Sequence, residues 1–289
     1  MQADQQMSYA VVTPTFSGDF ERCALLVDSL KRIGGDHHHY LLVDRKDVAL
    51  FRALEGDRTT IIESESIIDG WLRRAPGKKG YWISFKALPV RGWIIQQILK
   101  MSVTRALPHD AFVICDSDVA FVRPFSIADF HSSQGLELLD TPFDGGWNPR
   151  WTEVACSMLG LDATQIPVRN HVGVMICWTR ANLLGLHARI EKTTGKPWQL
   201  AVARQLRFSE YMLYGAYVRG VLGYSASGHA PNAESRIKSS WSMDLGSDEA
   251  LDEFFDTLDP RHVGVMIHSK DYVDPKRVRL RLERMWSKL

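Results

Sequence analysis

The sequence predicts an α/β domain, and three stretches carry that expectation. Residues 9–13 form a short apolar run, and Phe20–Ile33 follows with apolar residues at Phe20, Ala24, Val27, Leu30 and Ile33, the spacing of one helix face. Residues 92–106 repeat the helical pattern: Trp93, Ile94, Ile98, Met101 and Val103 are apolar, and Gln96, Gln97, Lys100 and Arg105 are polar. The stretch 111–125 opens with Ala111, Phe112, Val113, Ile114 and Cys115. That run is rich in β-branched and aromatic residues and reads as a buried strand.

Between the first strand and its helix, residues 13–19 form a tight loop, with Asp19 or Ser17 placed to cap the helix. The loop lacks both G-x-G-x-x-G and G-x-x-x-x-G-K-[ST], so neither a dinucleotide fingerprint nor a P-loop is supported. Asp36, His37, His38 and His39 precede an expected strand at 40–43. Consecutive residues rarely converge on one ion, and these read as a solvated turn. Asp44 ends that strand, where α/β folds contact a nucleoside. Residues 48–54 read as a short helix and Thr59–Glu63 as a third strand. Residues 67–89 differ in character, interleaving Trp71, Arg73, Arg74, Pro76, Gly77, Lys78, Lys79, Gly80, Tyr81 and Trp82. They read as a flap over an anionic ligand or as an ordinary packed excursion.

The strand at 111–115 ends in two carboxylates one residue apart. Alternate side chains of extended backbone share a face, so Asp116 and Asp118 can point together, with Ser117 turned aside. Two acids there repel each other and lose hydration unless a cation offsets both costs. A divalent-metal site with open positions for a phosphate-bearing ligand answers this, and a solvated Asp-Ser-Asp turn is the plainer alternative.

Beyond Phe125, residues 135–141 read as a strand and 151–159 as a helix. The loop 142–149, with Phe143, Asp144 and Trp147, suits a sugar contact or a plain turn. The hexapeptide His-Val-Gly-Val-Met-Ile occurs at 171–176 and again at 262–267 without matching flanks, which excludes a solenoid or a duplicated domain. Both copies read as buried strands of one core, and the second leads into His268, Ser269, Lys270 and Asp271. Residues 180–191 and 198–205 read as helices. Within 208–215, Ser209 or the residue before it can start a helix with Glu210 in its first turn. Residues 275–289 place Val278, Leu282, Met285 and Leu289 on one helical face beside a cationic one. Docking on the domain and attachment to an anionic membrane are the two roles for such a helix.

Length and composition bound the rest. At 289 residues the chain has room for one large domain or two small ones. Its 45% hydrophobic and 24% charged residues are ordinary for a soluble globular protein. A net charge of +1 gives no case for nucleic acid as a partner. No apolar run approaches a membrane span and residues 1–8 are polar, so the expectation is a cytoplasmic protein without a signal peptide. Cys23, Cys115, Cys156 and Cys177 show no C-x-x-C spacing and read as reduced core residues.

In this order the pieces resemble a nucleotide-sugar-dependent glycosyltransferase of the GT-A class, from residue 9 to about 271. They also look like a bacterial family of predicted glycosyltransferases with a Gln-Gln-x-x-Lys helix before the acidic motif, here Gln96, Gln97 and Lys100. The D-x-D motif falls on Asp116, Ser117 and Asp118. The glycine-containing segment that follows it matches 170–175, with Gly173. The acidic motif at a helix start matches Ser209, Glu210 and Tyr211, although Tyr211 stands where the class usually has a second acid. The histidine that completes the metal site in many members matches His268.

The resemblance implies a Rossmann-like mixed sheet flanked by helices, in a single domain with acceptor-side insertions. It implies a nucleotide-binding half at 9–125, an acceptor-side half at 126–274 and a basic amphipathic helix at 275–289. The implied reaction moves a sugar, a hexose by preference, from a nucleoside-diphosphate sugar, with a UDP-sugar favoured. The acceptor is a hydroxyl of a glycan, a lipid-linked glycan, a capsule precursor or a small molecule. Asp116, Asp118 and His268 would hold Mn²⁺ or Mg²⁺, which stabilises the leaving diphosphate as a Lewis acid. The imidazole would favour Mn²⁺. Arg91, Lys100 and Lys270 would pair with the phosphates, and Thr13, Thr15 and Asp44 would line the nucleoside pocket, with Ser117 and Gly173 completing the donor contacts. Asp118 and Glu210 carry the implied catalytic roles. Glu210 is a general base if the reaction inverts, and positions sugar or acceptor if it retains. The His-Ser-Lys ending looks like that of retaining galactosyl- and glucosyltransferases, which favours retention. Trp147, Trp178 and Trp241 are candidates to stack on a sugar face.

Three rivals share single features. A haloacid-dehalogenase-type phosphatase also ends an apolar strand in D-x-D, but on its first strand and with Thr or Val where Ala120 stands. A sugar nucleotidylyltransferase should carry a Gly-rich, Arg-containing loop in place of 13–19. A lectin-like module binding sugar nucleotide or glycan without catalysis would have no need of Asp116, Asp118 and His268 together.

Overall fold

Every residue of Tyr9–Thr15 is buried, which places this strand at the centre of the sheet. Its neighbours are His38–Val43 on one side and Ala111–Cys115 on the other, both parallel to it. Thr59–Glu63 extends the parallel sheet beyond His38–Val43, and Met175–Thr179 closes the opposite edge antiparallel to Ala111–Cys115. The computed structural model describes residues 7–33, 35, 37–75, 80–143, 145–146, 148–241 and 243–288. Asp36, residues 76–79 of the basic excursion, Asp144, Trp147 and Leu289 lie outside them, as do residues 1–6 of the polar start.

Side chains alternate across the central strands, and both faces are covered. Ala10, Val12, Phe112 and Ile114 pack with Ile94, Ile98 and Met101 of the helix Gly92–Ser102. Tyr9, Val11, Val113 and Cys115 pack on the other face with Leu26 and Leu30 of the helix Phe20–Ile33. Apolar runs buried on both sides are what a parallel sheet requires. The four cysteines are all buried, as core residues should be.

The chain leaves Tyr9–Thr15 toward His38–Val43, but returns to put Ala111–Cys115 on the far side of it and Met175–Thr179 farther still. The sheet therefore reverses direction between the first strand and the strand that ends at Asp116. In open α/β sheets the crevice outside the carboxyl ends of strands at such a point is where ligands bind. Here it sets the loop after Thr15 beside the D-x-D motif.

A second sheet begins where the first ends. Val119–Phe121 pairs antiparallel with Gly264–Met266, which pairs in parallel with Ile237–Ser239. The two copies of the repeated hexapeptide thus serve different sheets. Met175 stands opposite Cys115 and Met266 opposite Val119, so the copies bracket the D-x-D motif from either side.

One expectation is corrected. The histidines are not a solvated turn: pairing starts at His38 opposite Ala10, and His37 and His39 are buried. His37 stacks on Phe125, and His39 Nε2 is bonded to Thr13 Oγ1 at 3.0 Å. The C-terminal helix, Pro275–Trp286, takes the first of its two expected roles and is docked on the domain. Val278, Leu282 and Trp286 are buried against Phe254 and Leu251 of the helix Asp248–Asp256. Arg281 binds Asp248 and Asp252, Arg279 binds Asp28, and Trp286 Nε1 donates to the Phe121 carbonyl at 2.9 Å. No described helix is long and apolar enough to cross a membrane.

Candidate active site

The site is built around Asp116, the first residue past the Ala111–Cys115 strand. Its backbone N–H donates to the Val174 carbonyl at 3.0 Å, which joins it to the segment before Met175–Thr179. In that segment a Cβ on Gly173 would lie 2.8 Å from Ile176 Cδ1 and 3.0 Å from Leu139 Cδ2, so a larger residue would have to push these side-chain ends aside. Gly173 shapes the wall beside Asp116.

Lys100 holds the Asp116 side chain. Its ammonium donates to Asp116 Oδ1 at 2.9 Å and Tyr211 Oη at 2.7 Å, and lies 3.1 Å from Glu210 Oε1. Burial alone would push this lysine down, but Asp116, Tyr211 and Glu210 together hold it well above its usual range. Lys100 and Glu210 are both almost wholly buried. The helix Glu210–Tyr217 starts as its sequence predicts, with the Ser209 hydroxyl accepting the Met212 N–H. Gln97, one turn before Lys100, accepts the Glu210 N–H at 2.9 Å. The Gln-x-x-Lys spacing thus clamps one helix start to the acidic strand end.

Two expected site residues are thus drawn into one ion-pair cluster. Lys100 meets three protein acceptors, Asp116 at the crevice and Tyr211 and Glu210 in the core. Glu210 is buried, with its Oε1 paired to Lys100. Tyr211, in place of the usual second acid, gives that ammonium its third partner.

Asp118 sits on the other side of Ser117, at the start of the second sheet. Its carboxyl is pushed up to about 7, first by burial and then by the charges of Asp116 and Asp19, against the pull of its own and the Ser269 N–H groups. Asp19, read from sequence only as a cap, lies across the crevice, where its Oδ2 is 3.4 Å from Ser117 Oγ. Burial pushes Asp19 up as well, against nearby Arg22. Arg22 also reaches the Ser269 carbonyl at 3.4 Å. Four carboxylates (Asp19, Asp116, Asp118 and Glu210) are thus matched by Lys100 and Arg22, an excess of two negative charges when all are ionised. Asp19 lies just after the first strand, beside the reversal point of the sheet.

His268 reaches this corner through its backbone. Ile267 N–H faces the Asp118 carbonyl at 3.4 Å, and His268 N–H donates to Ser240 Oγ at 2.9 Å. Its ring leans on Trp241, centroids 4.7 Å apart. Among the described residues, no three His, Cys, Asp or Glu side chains are gathered as metal ligands, so His268 does not stand with the paired acids as a ready triad. Lys270 is exposed on the same turn, and Arg91 is exposed at the start of the Gly92–Ser102 helix.

The expected nucleoside wall is partly committed. Thr13 is fully buried and bonded to His39, and Thr15 is buried beside Cys23. Asp44 accepts an ion pair from Arg74 of the basic excursion, which ties that segment over the end of the second strand. Of the tryptophans, Trp178 is wholly buried and stacked on Tyr214, which removes it as a sugar platform. Trp241 is more than half exposed.

With this geometry in view, the comparisons with known proteins can be set beside it. The model of the family described as "Family of unknown function (DUF6492)" matches residues 7–287. The chain belongs to that family. No curated protein matches it by sequence. Among solved structures, the galactosyltransferase LgtC, crystallised with donor and acceptor sugar analogs, is similar with a TM-score of 0.50 and 10% identity, covering 97% of this chain and 96% of that one. An active-site mutant of LgtC gives 0.48 and 11% over the same shares. At such identity the first likeness is one of fold: this DUF6492 member has the GT-A arrangement of a mixed sheet flanked by helices.

Proposed function

We propose that this family member is a metal-dependent glycosyltransferase, moving a sugar from a nucleoside-diphosphate sugar to a hydroxyl acceptor. The observation that carries the reading is the pairing of Asp116 and Asp118 at the reversal point of the sheet, where burial first and then the charges of Asp116 and Asp19 hold the Asp118 carboxyl near 7. A buried carboxyl beside like charges fits a divalent cation, and the oxygen donors suit Mg²⁺ or Mn²⁺. Asp118 and Asp116 would hold that ion, with His268 joining if its ring leaves Trp241. When bound, the cation supplies charge to a departing diphosphate.

The remaining chemistry belongs to the chain. Lys100 fixes the Asp116 carboxylate through the 2.9 Å contact to its Oδ1. Glu210 and Tyr211 hold Lys100 in place, so their role is positioning. Lys270 and Arg91, both exposed, are the cations free to turn toward phosphates. Trp241 offers an exposed ring beside His268 for a sugar face. Donor hydrolysis to a free sugar and a nucleoside diphosphate, measured over a panel of sugar nucleotides with and without Mn²⁺, tests the reading. Turnover of one nucleotide family that needs Mn²⁺ and disappears in Asp118→Ala supports it, whereas tight binding with no turnover would mark a binding module.

A further inference from the structure

The basic excursion after Thr59–Glu63 folds into a small antiparallel sheet of Arg73–Arg74, Tyr81–Ile83 and Val90–Arg91. Its register sorts the side chains. Arg74, Trp82 and Val90 stand opposite one another, and Trp82 and Val90 are buried on the domain. Arg73 stands opposite Ile83, and Tyr81 opposite Arg91, and all four are exposed on the outer face. That face continues into a cavity of about 550 Å³ lined by Phe85, Lys86, Leu88, Arg91, Arg204 and Leu206 among others. Phe85 is fully exposed, Leu88 is 72% exposed and Leu206 67%.

Large apolar side chains standing in water at one place need a reason. Here charge says what covers them. No Asp or Glu occurs anywhere from residue 70 to 109, nor from 192 to 209, and these are the two segments that form the groove. The rim is therefore cationic, from Arg73, Lys86, Arg91 and Arg204, while the centre is apolar. A protein partner would be expected to meet a mixed-charge rim. Apolar rings and leucines surrounded by cations fit the boundary between acyl chains and anionic headgroups.

We propose that this face seats the protein on an anionic lipid bilayer. Phe85, Leu88 and Leu206 enter the headgroup boundary, and Arg73 and Lys86 lie on lipid phosphates. The contact is distinct from the C-terminal helix, whose apolar face and arginines are spent within the domain. It stands independently of the proposed reaction. Geometry nonetheless links the two: Arg91 precedes the helix that carries Lys100, about 14 Å farther along its axis.

Flotation with vesicles tests this. The chain should float with vesicles of three parts phosphatidylcholine to one part phosphatidylglycerol, and stay behind with phosphatidylcholine alone. The double variant Phe85→Ser and Leu88→Ser should lose partitioning about tenfold or more with an unchanged melting temperature, since neither side chain is buried. Arg73→Gln should weaken it in the same assay. Failure of the parent chain to float, or equal flotation of the double variant, overturns the proposal. So does a dimer in solution that the double variant dissolves, because the face would then be covered by a second copy.

Discussion

Gln97 Oε1 accepts the backbone N–H of Glu210 at 2.9 Å, between residues 113 positions apart in sequence. The amide thus supplies a partner to a helix start that would otherwise bury an unsatisfied donor. It also sets the Glu210 side chain against Lys100. Replacing Gln97 with Met keeps its bulk and removes the acceptor. The expected loss is about 1–3 kcal/mol in urea denaturation, the cost of orphaning a buried donor. A midpoint unchanged from the parent would show that water takes the place of the amide.

Lys100→Met should cost more, because it strands Glu210 in the core and unpins Asp116. Breaking one partner of a buried ion pair costs roughly 3–5 kcal/mol. Combining it with Glu210→Gln should recover part of that loss, since no buried charge is then left alone. Equal stability of Lys100→Met and the double variant would mean that Glu210 takes up a proton once Lys100 is gone, so that no charge is stranded.

Asp118 puts stability and function in opposition. Its carboxyl lies near 7 in the fold and near 4 in an unfolded chain, so ionisation at neutral pH disfavours the folded state without a cation. Asp118→Asn should therefore stabilise the chelator-treated protein, by an amount on the order of 2 kcal/mol. The same variant should lose any rise in melting temperature on adding Mn²⁺. A parent protein that shows no such rise while the variant is destabilised would remove the basis for a cation here.

The sheet was legible because its strands are apolar runs of the right length, and the D-x-D corner because two acids after such a run are conspicuous. The partners of those acids were not. Lys100 and Gln97 occupy polar positions in the pattern of an amphipathic helix, and sequence alone reads such positions as facing solvent or ligand. In the fold they face the Glu210 helix, a contact across more than 100 residues that no local pattern encodes. His39 misled for a similar reason: three histidines in a row read as surface, yet strand alternation turned the third inward onto Thr13. Asp19 was visible only as a cap, because its closeness to Ser117 depends on where the sheet reverses.

Three buried histidines set the acid limit of the fold. His39 and His187 are pushed down to about 3, and His229 to about 4, each first by burial. Folded, they resist protonation; unfolded, they bind a proton near pH 6.5. Their contribution is therefore fully present above about pH 6.5 and falls away as pH drops from there toward 4, by roughly 2–3 kcal/mol each. Urea midpoints measured from pH 7 to 4 should fall steadily. His187→Phe, which can keep the stack on Trp198 4.0 Å away, should flatten part of that slope. A midpoint constant over this range would rule out neutral, buried imidazoles.

Gly215 tests how closely the Glu210 helix is pressed to the wall of the site. A Cβ there would stand 2.2 Å from His171 Cδ2 and 2.6 Å from Nε2. His171 cannot retreat freely, because its Nδ1 is bonded to the Leu139 carbonyl at 2.7 Å and its ring is buried. Two residues later comes Gly173, itself closed in by Ile176 and Leu139, and then the Val174 carbonyl that receives the Asp116 N–H. Gly215→Ala should therefore cost about 1–3 kcal/mol by overpacking, despite alanine's better helix propensity. The strain should travel toward Asp116, so the variant is expected to weaken Mn²⁺-induced stabilisation beyond its loss of folding energy. Gly195→Ala is the control: that glycine caps a helix with φ +65° and meets nothing within 4 Å, so the change should lower stability through backbone strain and leave the metal response intact. Parallel effects of the two variants on that response would show that the Glu210 helix and the acidic corner are mechanically separate.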